Sequence, residues 1–331
     1  MSDFTWKDAE RLVIFRPGAL PDAPALLREH GWEEFDLLST PRALEGAPQQ
    51  LEAVGSVHDV PPGGVPEAAK AIMGTVRGIA MVALGGGRVI DTAKAIAAVH
   101  GGRVCAIPTT LSGAEMTAVH RLPDGHEAPR LVRPALVLAD PEAMTGLPEE
   151  RLRASAMNAL AHGAEALYTP LANPVAEMAA LRGAELIAGA LDQDRAERDR
   201  GALALGAILC AYAVDSAGFA VHHVLCQTIV RVCGTPHAET YATVLPRSMD
   251  AMRERAPEAI ASLAGALGTE PERISERIEA LGGGPRRLSE LGAGPACRAE
   301  VIEVAGQREQ LAMTPNPPGR DELRAILESA W

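Results

Sequence analysis

The chain has few aromatic residues and no run of basic residues, and each lack argues against a class of partner. Aromatic residues make up 3% of the 331 residues, which is too few for the stacking platforms that bind single-stranded nucleic acid. The formal net charge is −12, without a cluster rich in lysine and arginine. We therefore expect neither nucleic acid nor an anionic membrane as a partner.

Cysteine motifs and long apolar runs are also missing. The five cysteines are odd in number and form no C-x-x-C pair, which is typical of a reducing compartment. The N-terminal segment MSDFTWKDAERL has no apolar signal region, and no run of about 18 apolar residues predicts a membrane span. We predict a cytoplasmic protein. Its cysteines are Cys105, Cys210, Cys226, Cys233 and Cys297.

The hydrophobic residues that are present, 47% of the chain, can form a large core, and the length predicts about two domains. In the first half, strand patterns alternate with helical patterns, which predicts a parallel sheet with helices on both faces. The predicted strands are 11–15, 35–39, 78–84, 104–108 and 135–139, and the predicted helices are 23–30, 42–54, 66–76 and 89–99.

Strand patterns stop after Pro148, and alanine- and leucine-rich helical patterns follow. The expected fold is α/β plus all-α: a Rossmann-like parallel-sheet domain at 1–148, then a helical domain at 149–331. A loop is predicted at 282–294 and an extended linker at 314–319. The predicted helices of the second half are 149–168, 174–191, 195–213 and 219–232, and another begins at His237.

Three glycines, Gly85, Gly86 and Gly87, lie between an apolar strand and a helix. Such a turn lets backbone N–H groups approach a phosphate, and the helix N-terminus adds partial positive charge. The loop is therefore a candidate dinucleotide site. Arg88 is unusual there, because the helix dipole disfavours a cation at this end unless an anion is bound.

Histidines are the candidate catalytic residues of the helical half. Asn158, His162 and Glu165 share one face of a helix, and His223, Gln227 and Arg231 share a face of another. Together with His237, His162 and His223 place three histidines on three helices. Three histidines are a common ligand set for a divalent metal ion. A single histidine in an alanine-rich helix is more often a buried, hydrogen-bonded residue, and Glu165 is more readily interpreted as a solvated or structural carboxylate than as a ligand.

Several motifs together resemble the iron-containing (type III) alcohol dehydrogenase family, and within it the maleylacetate reductases. GGGRVIDTAK resembles the pyrophosphate loop of that family, and IPTTLSGAEMT resembles a segment of the reductases. The segments LSTPR, MNALAHGAEALY, NPV, HHVLCQ and PHAETYATVLP are also similar. The resemblance covers nearly the whole chain and implies a cleft between two domains, a homodimer, and NADH or NADPH as cofactor. The cofactor residues it implies are Thr40, Pro41, Gly85, Gly86, Gly87, Arg88, Asp91, Thr109 and Thr110.

The resemblance also implies a metal site, in which this sequence departs from the family. The ligand positions are Asn158, His162, His223 and His237, where the family has an aspartate at the first. Because an amide is a weaker ligand than a carboxylate, we expect iron or zinc to be held weakly or not at all.

Four further departures concern the nucleotide and the chemistry. Arg88 replaces a serine of the glycine loop, Gln227 replaces a histidine, Val230 and Arg231 replace two glycines, and Tyr241 replaces another histidine. Gln227 cannot titrate and so cannot act as a general acid or base. Either Arg88 contacts phosphate and Arg231 binds a substrate carboxylate, or these residues partly fill the nucleotide site, or both arginines simply reach solvent.

These observations predict an enzyme acting on a small acidic organic compound. The first expectation is an NAD(P)H-dependent reductase of a carbonyl or enone, with a degenerate metal site. The alternative is a non-redox lyase, dehydratase, cyclase or hydrolase, for instance in specialised metabolism; a pure binding protein is a weaker hypothesis. In either case the candidate catalytic residues are His162, His223, His237, Gln227, Tyr241 and Arg231.

Overall fold

A computed structural model describes residues 4–51, 56–127 and 131–331; for residues 4–8 and residue 50 only the backbone is described. The chain divides into two compact units, Met1–Leu147 and Pro148–Trp331. Each is described by itself below.

The first unit alternates strands and helices as the sequence predicts. Its elements are β1 (Phe4–Asp8), β2 (Arg11–Phe15), α1 (Ala23–Glu29), β3 (Asp36–Ser39), α2 (Pro41–Leu44), β4 (Val57–Asp59), α3 (Val65–Ile72), β5 (Ala80–Gly85), α4 (Gly87–His100), β6 (Arg103–Pro108), β7 (Leu136–Ala139) and α5 (Pro141–Met144).

The described strands form one sheet in the order β1-β2-β7-β6-β5-β3-β4. β1 pairs with β2 in antiparallel orientation, and the other neighbours are parallel. Alternate residues of β5 enter different cores: Met81 and Ala83 pack with α4, while Val82 and Leu84 pack with α1. Both faces are therefore covered, which explains why the strands are apolar runs without alternation.

One expectation for this unit is wrong, and two of its strands were missed. A continuous helix at 42–54 is replaced by the short α2 and one 3₁₀ turn, Gln49–Leu51, and residues 52–54 lie outside the described part. The strands β1 and β4 were not expected. Both lie at the edges of the sheet, where a strand can be short and partly polar and so gives little hydrophobic signal.

The second unit is helical throughout its described residues. Its helices are α6 (Glu149–Ala166), α7 (Pro174–Asp192), α8 (Arg200–Ala217), α9 (Val221–Cys233), α10 (His237–Met252), α11 (Pro257–Ala266), α12 (Ile274–Leu281), α13 (Cys297–Gly306) and α14 (Arg320–Ser329). α8 begins five residues later than predicted because Asp199 caps it, accepting from Ala202 N at 2.8 Å. A 3₁₀ turn, Leu288–Leu291, lies within the predicted loop.

α8 is long and apolar enough, by length and composition, to cross a membrane, with a mean hydropathy of 1.2. The sequence analysis did not expect such a segment. Because 61% of the helix is buried within the structure, its composition is that of a core helix. No other helix of the described residues passes this test.

Cys233 and Cys297 are joined as a disulfide, with Cα atoms 5.9 Å apart, although the sequence analysis expected reduced thiols. The two residues are 64 positions apart, and they meet because α13 packs against α9. Because the two cysteines do not belong to a short motif, their pairing can be recognised only from the packing of these helices. Cys105, Cys210 and Cys226 are buried and free.

Glycines let α7 and α8 pack closely. A Cβ at Gly206 would lie 2.8 Å from the backbone oxygen of Gly183, and a Cβ at Gly183 would lie 2.6 Å from Cys210 Sγ. Since the first neighbour is backbone, a side chain at Gly206 would have to separate the helices. Gly189, also in α7, has nothing within 4 Å of such a Cβ.

We expect Gly206→Ala to lower the free energy of unfolding by about 2 kcal/mol, the usual scale of overpacking. Gly189→Ala is the matched control, and it should be neutral or stabilising by up to about 1 kcal/mol because alanine favours a helix. Urea unfolding of the two variants provides the comparison. Equal stability of the two variants would contradict the close helix contact.

Candidate active site

The glycine loop connects β5 to α4. A Cβ on Gly85 would lie 2.7 Å from Val89 Cγ2, and one on Gly86 would lie 3.0 Å from Thr110 Cγ2. Thr110 Oγ1 is buried and has no hydrogen-bond partner in the structure. Glycine therefore lets the loop pass close to Val89 and Thr110, where a side chain would collide, and it leaves the backbone N–H groups at the start of α4 uncovered by side chains of its own, an arrangement that suits a phosphate.

The other predicted cofactor residues follow neighbouring strands of the same sheet. Thr40 follows β3 and caps α2, accepting from Ala43 N at 3.4 Å. Thr109 follows β6 and donates its N–H to Gly85 O at 3.0 Å. Pro41 begins α2 and is exposed. Because β3, β5 and β6 are adjacent and parallel, these segments meet at the carboxyl edge of the sheet, where α/β proteins bind ligands.

Arg88, in the first turn of α4, is exposed. Within the described residues it has no ion pair or hydrogen bond, and a Cβ at Gly85 or Gly86 would meet Val89 or Thr110 rather than Arg88. The side chain of Arg88 therefore does not fill the space beside these two glycines. Its charge lies at a helix N-terminus, where a bound anion would stabilise it.

Asp91 contacts a buried lysine. Lys94 Nζ donates to Asp91 Oδ1 at 2.7 Å and to the backbone oxygens of Ala114 and Val119 at 3.1 and 3.0 Å. Lys94 is fully buried. The pair holds the segment after β6 against α4, so Asp91 has a structural role here besides the predicted cofactor contact.

Glu115 is a buried carboxyl that the sequence analysis did not single out. Both of its oxygens are buried, and no other residue donates a hydrogen bond to them. Burial raises the pKa of Glu115 to about 7, and its own backbone N–H and the nearby charge of Lys94 oppose that rise. The sequence GAEM is part of a segment that resembles the family, but it did not indicate that the carboxyl group of Glu115 would be buried.

The histidine cluster of the second unit is formed by side chains from α6, α9 and α10. The rings of His162 and His223 are stacked with centroids 5.0 Å apart, and the ring of Tyr241 meets His223 edge-on, also at 5.0 Å. Burial, followed by nearby histidine charge, holds the pKa of His162 and of His223 well below the usual value. Both imidazoles are therefore neutral near pH 7.

Glu165 fixes the geometry of this cluster. It is fully buried and accepts the backbone N–H groups of Ala220, His222 and His223 at 3.0, 2.7 and 3.3 Å. It also contacts His223 Nδ1 at 2.5 Å. The interpretation as a structural carboxylate fits these contacts, but Glu165 is not solvated.

The contact with Glu165 selects a tautomer of His223. When Nδ1 donates to the carboxylate, Nε2 keeps a lone pair, and Nε2 has no hydrogen-bond partner in the structure. His162 Nδ1 is likewise buried without a partner. These nitrogens are open to a substrate or a metal.

His237 is less buried than the other two histidines, and its charge helps to lower the pKa of both. It is exposed at the start of α10, and its ring packs on Tyr241 with centroids 4.3 Å apart. Among the described residues, no three His, Cys, Asp or Glu side chains are grouped as a metal ion requires. The described side chains therefore do not form a complete metal centre, although His223 has the tautomer of a metal ligand.

Arg231 and Arg308 differ sharply in position. Arg231 is exposed in the last turn of α9, where a cation complements the helix dipole. Arg308 is half-buried and donates from Nη2 to Gln227 Oε1 at 2.7 Å. Gln227 is also hydrogen-bonded to Tyr241. No motif surrounds Arg308 in the sequence, so pattern analysis could not identify it.

Comparisons with known proteins match both units. The description "Iron-containing alcohol dehydrogenase" matches residues 11–141, and "Fe-containing alcohol dehydrogenase family, C-terminal" matches residues 153–331. A maleylacetate reductase of Pseudomonas aeruginosa is 32% identical, covering 96% of this chain and 95% of that protein.

Solved structures agree with this match. The maleylacetate reductase of Rhizobium sp. strain MTP-10005 has a TM-score of 0.85 at 29% identity, covering 100% of this chain and 98% of that one. A sulfoacetaldehyde reductase from Bifidobacterium kashiwanohense in complex with NAD+ has a TM-score of 0.82, covering 99% of each chain. At 19% identity the latter likeness concerns the fold alone.

Proposed function

Because the chain belongs to the iron-containing alcohol dehydrogenase family, we propose that it is an NAD(P)H-dependent reductase of a small acidic carbonyl or enone compound. The observation that carries the proposal is the glycine loop at the start of α4, in a chain whose relatives are maleylacetate reductases. Maleylacetate is accordingly the first substrate to assay. The non-redox alternative required Arg88, Val230 and Arg231 to fill part of the nucleotide site, but both arginines are exposed and the relatives named above are reductases.

The residues of the first unit fit a nicotinamide dinucleotide. Backbone N–H groups at Gly86 and Gly87, with Thr110 Oγ1, would hold its pyrophosphate, and Thr40 and Pro41 would face the adenosine ribose. When bound, the nicotinamide supplies a hydride. NAD+ in a structure of the same fold supports this assignment.

The residues of the second unit would bind the reacting group of the substrate. His162 and His223 are neutral. His162 can donate an N–H to a carbonyl oxygen, whereas the Nε2 lone pair of His223 can accept the hydroxyl proton of a reduced product or bind a metal. Burial raises the pKa of Tyr241 well above its usual value, so its hydroxyl keeps its proton. The N–H of His162 and the hydroxyl of Tyr241 can stabilise the negative charge that develops on oxygen during reduction.

Two further expectations stay predictions. The homodimer implied by the family resemblance is one of them. The cytoplasm is the other, and there the Cys233–Cys297 pair would be held reduced.

We expect His162→Ala and His223→Ala each to lower kcat at least about 100-fold, the lower range for losing a hydrogen-bonding group at a reacting oxygen. NADH oxidation with maleylacetate provides the measurement. His126→Ala, at an exposed position of the first unit, is the control. Near-normal turnover in both cluster variants, with unchanged circular dichroism, would place the reaction elsewhere.

Arg88→Ser tests the nucleotide site directly. If Arg88 contacts phosphate, the change should weaken NADH binding by about 1–3 kcal/mol, the scale of a lost charge-assisted bond. A fluorescence titration measures the Kd, and Arg28→Ser on α1 should leave it unchanged. Tighter binding would instead show that Arg88 obstructs the site, and an unchanged Kd would mean that it only reaches solvent.

The metal is expected to be weakly held, because Asn158 supplies no charge. Elemental analysis of the purified protein should find well under one equivalent of iron or zinc. Asn158→Asp should raise zinc affinity at least about tenfold, since a carboxylate is the stronger ligand. Gln193→Glu, an exposed exchange of amide for carboxylate, is the control. One tightly bound iron or zinc per wild-type chain would refute this expectation.

A further inference from the structure

Arg308 brings a positive charge to the histidine cluster. It lies between α13 and a 3₁₀ turn, Glu309–Met313, both of which pack against α9. Its guanidinium is half-buried and donates to Gln227 Oε1 at 2.7 Å. Gln227 lies one helical turn after His223, so the cation is held beside the residues assigned to the reacting group.

The surrounding fold restricts where this guanidinium can lie. The disulfide between Cys233 and Cys297 joins the last residue of α9 to the first residue of α13. α13 then leads to Arg308 two residues after its end. The helix carrying Gln227 and the segment carrying Arg308 are therefore packed together, whether or not the cysteine pair is oxidised.

Electrostatics show that the charge of Arg308 acts on the cluster. After burial and the charge of His237, Arg308 helps to lower the pKa of His223. It also opposes the large burial-driven rise in the pKa of Tyr241. A cation that affects both groups would also attract an anionic group of a ligand bound beside them.

Two departures from the family pattern meet at this arginine. Gln227 accepts from Arg308 and is also hydrogen-bonded to Tyr241. A glutamine always offers a carbonyl oxygen to a guanidinium, whereas a histidine would offer an acceptor in only one of its tautomers and would repel the arginine when protonated. The exchanges at positions 227 and 241 therefore make one connected arrangement.

We propose that Arg308 binds the carboxylate of the acidic substrate, and that Gln227 and Tyr241 position its guanidinium. A guanidinium matches a carboxylate through paired hydrogen bonds, which gives orientation as well as attraction. This role was expected of Arg231, which lies exposed at the end of α9, at a position that the helix dipole already explains. The proposal rests on the proposed function for the identity of the substrate, but not for the existence of an anion site.

Binding of a simple dicarboxylate tests the site without turnover. Succinate is the probe and succinamide its uncharged counterpart, each titrated calorimetrically into the full chain at low chloride. We expect Arg308→Gln to weaken succinate binding at least tenfold and to leave succinamide unchanged. Arg253→Gln, at a half-buried arginine of the same unit that pairs with Asp250, should change neither.

Kinetics with maleylacetate separate substrate recognition from chemistry. Arg308→Gln should raise KM about 30-fold or more with a much smaller fall in kcat, and Arg308→Lys should recover part of the loss. Gln227→Glu keeps the arginine but places a carboxylate against it, so the ion pair competes with the substrate and should raise KM similarly. Gln227→Ala should give a smaller increase. The Kd for NADH should stay unchanged in all four variants.

These experiments distinguish a failure of the proposed function from a failure of the proposed carboxylate site. If no carbonyl compound is reduced but Arg308→Gln still abolishes succinate binding, the proposed function fails and the carboxylate site stands. If succinate binding and KM are unaffected by Arg308→Gln in a folded variant, the proposal is overturned. It is also overturned if Arg231→Gln, rather than Arg308→Gln, produces these losses.

Discussion

The carboxylate of Glu165 is the contact on which the second unit depends most. It receives three backbone N–H groups at the start of α9 and the Nδ1 side of His223. One buried group therefore replaces a helix cap, joins α6 to α9 and selects the tautomer of a candidate catalytic histidine. Desolvation raises the pKa of this carboxyl, and the N–H donors together with the charge of His222 oppose that rise. A buried acceptor of this kind is stable only when its hydrogen bonds are satisfied.

The first unit depends on a different constraint, which is the absence of side chains in the glycine loop. Gly85 and Gly86 leave no room for a Cβ against Val89 and Thr110. The loop can therefore pass close to its neighbours and still expose backbone N–H groups at the start of α4. Lys94, a buried residue of α4, fixes the segment after β6 by donating to two of its carbonyl oxygens. The glycines therefore keep the loop free of side chains, and Lys94 holds the segment after β6 in place.

The residues that depart from the family pattern lie in different physical environments, and these environments explain them differently. Arg88 is exposed at the N-terminus of α4, where the helix dipole disfavours a cation. Arg231 is exposed at the C-terminus of α9, where the dipole favours one. Only Arg88 therefore calls for an anion to explain it. Gln227 and Tyr241, by contrast, interact with each other, and Gln227 accepts a hydrogen bond from the half-buried Arg308.

The sequence by itself determined the order of most helices and strands, the two-part division of patterns near residue 150, and the glycine loop. These features depend on local periodicity, on turn residues and on a contiguous motif, all of which can be recognised without the fold. It missed the edge strands β1 and β4, whose hydrophobic signal is weak. Only the tertiary structure decided that Glu165 binds the start of α9, that Cys233 pairs with Cys297, and that Arg308 contacts Gln227. Those partners are 58, 64 and 81 positions apart, and each meeting results from helix packing, which no spacing along the chain records.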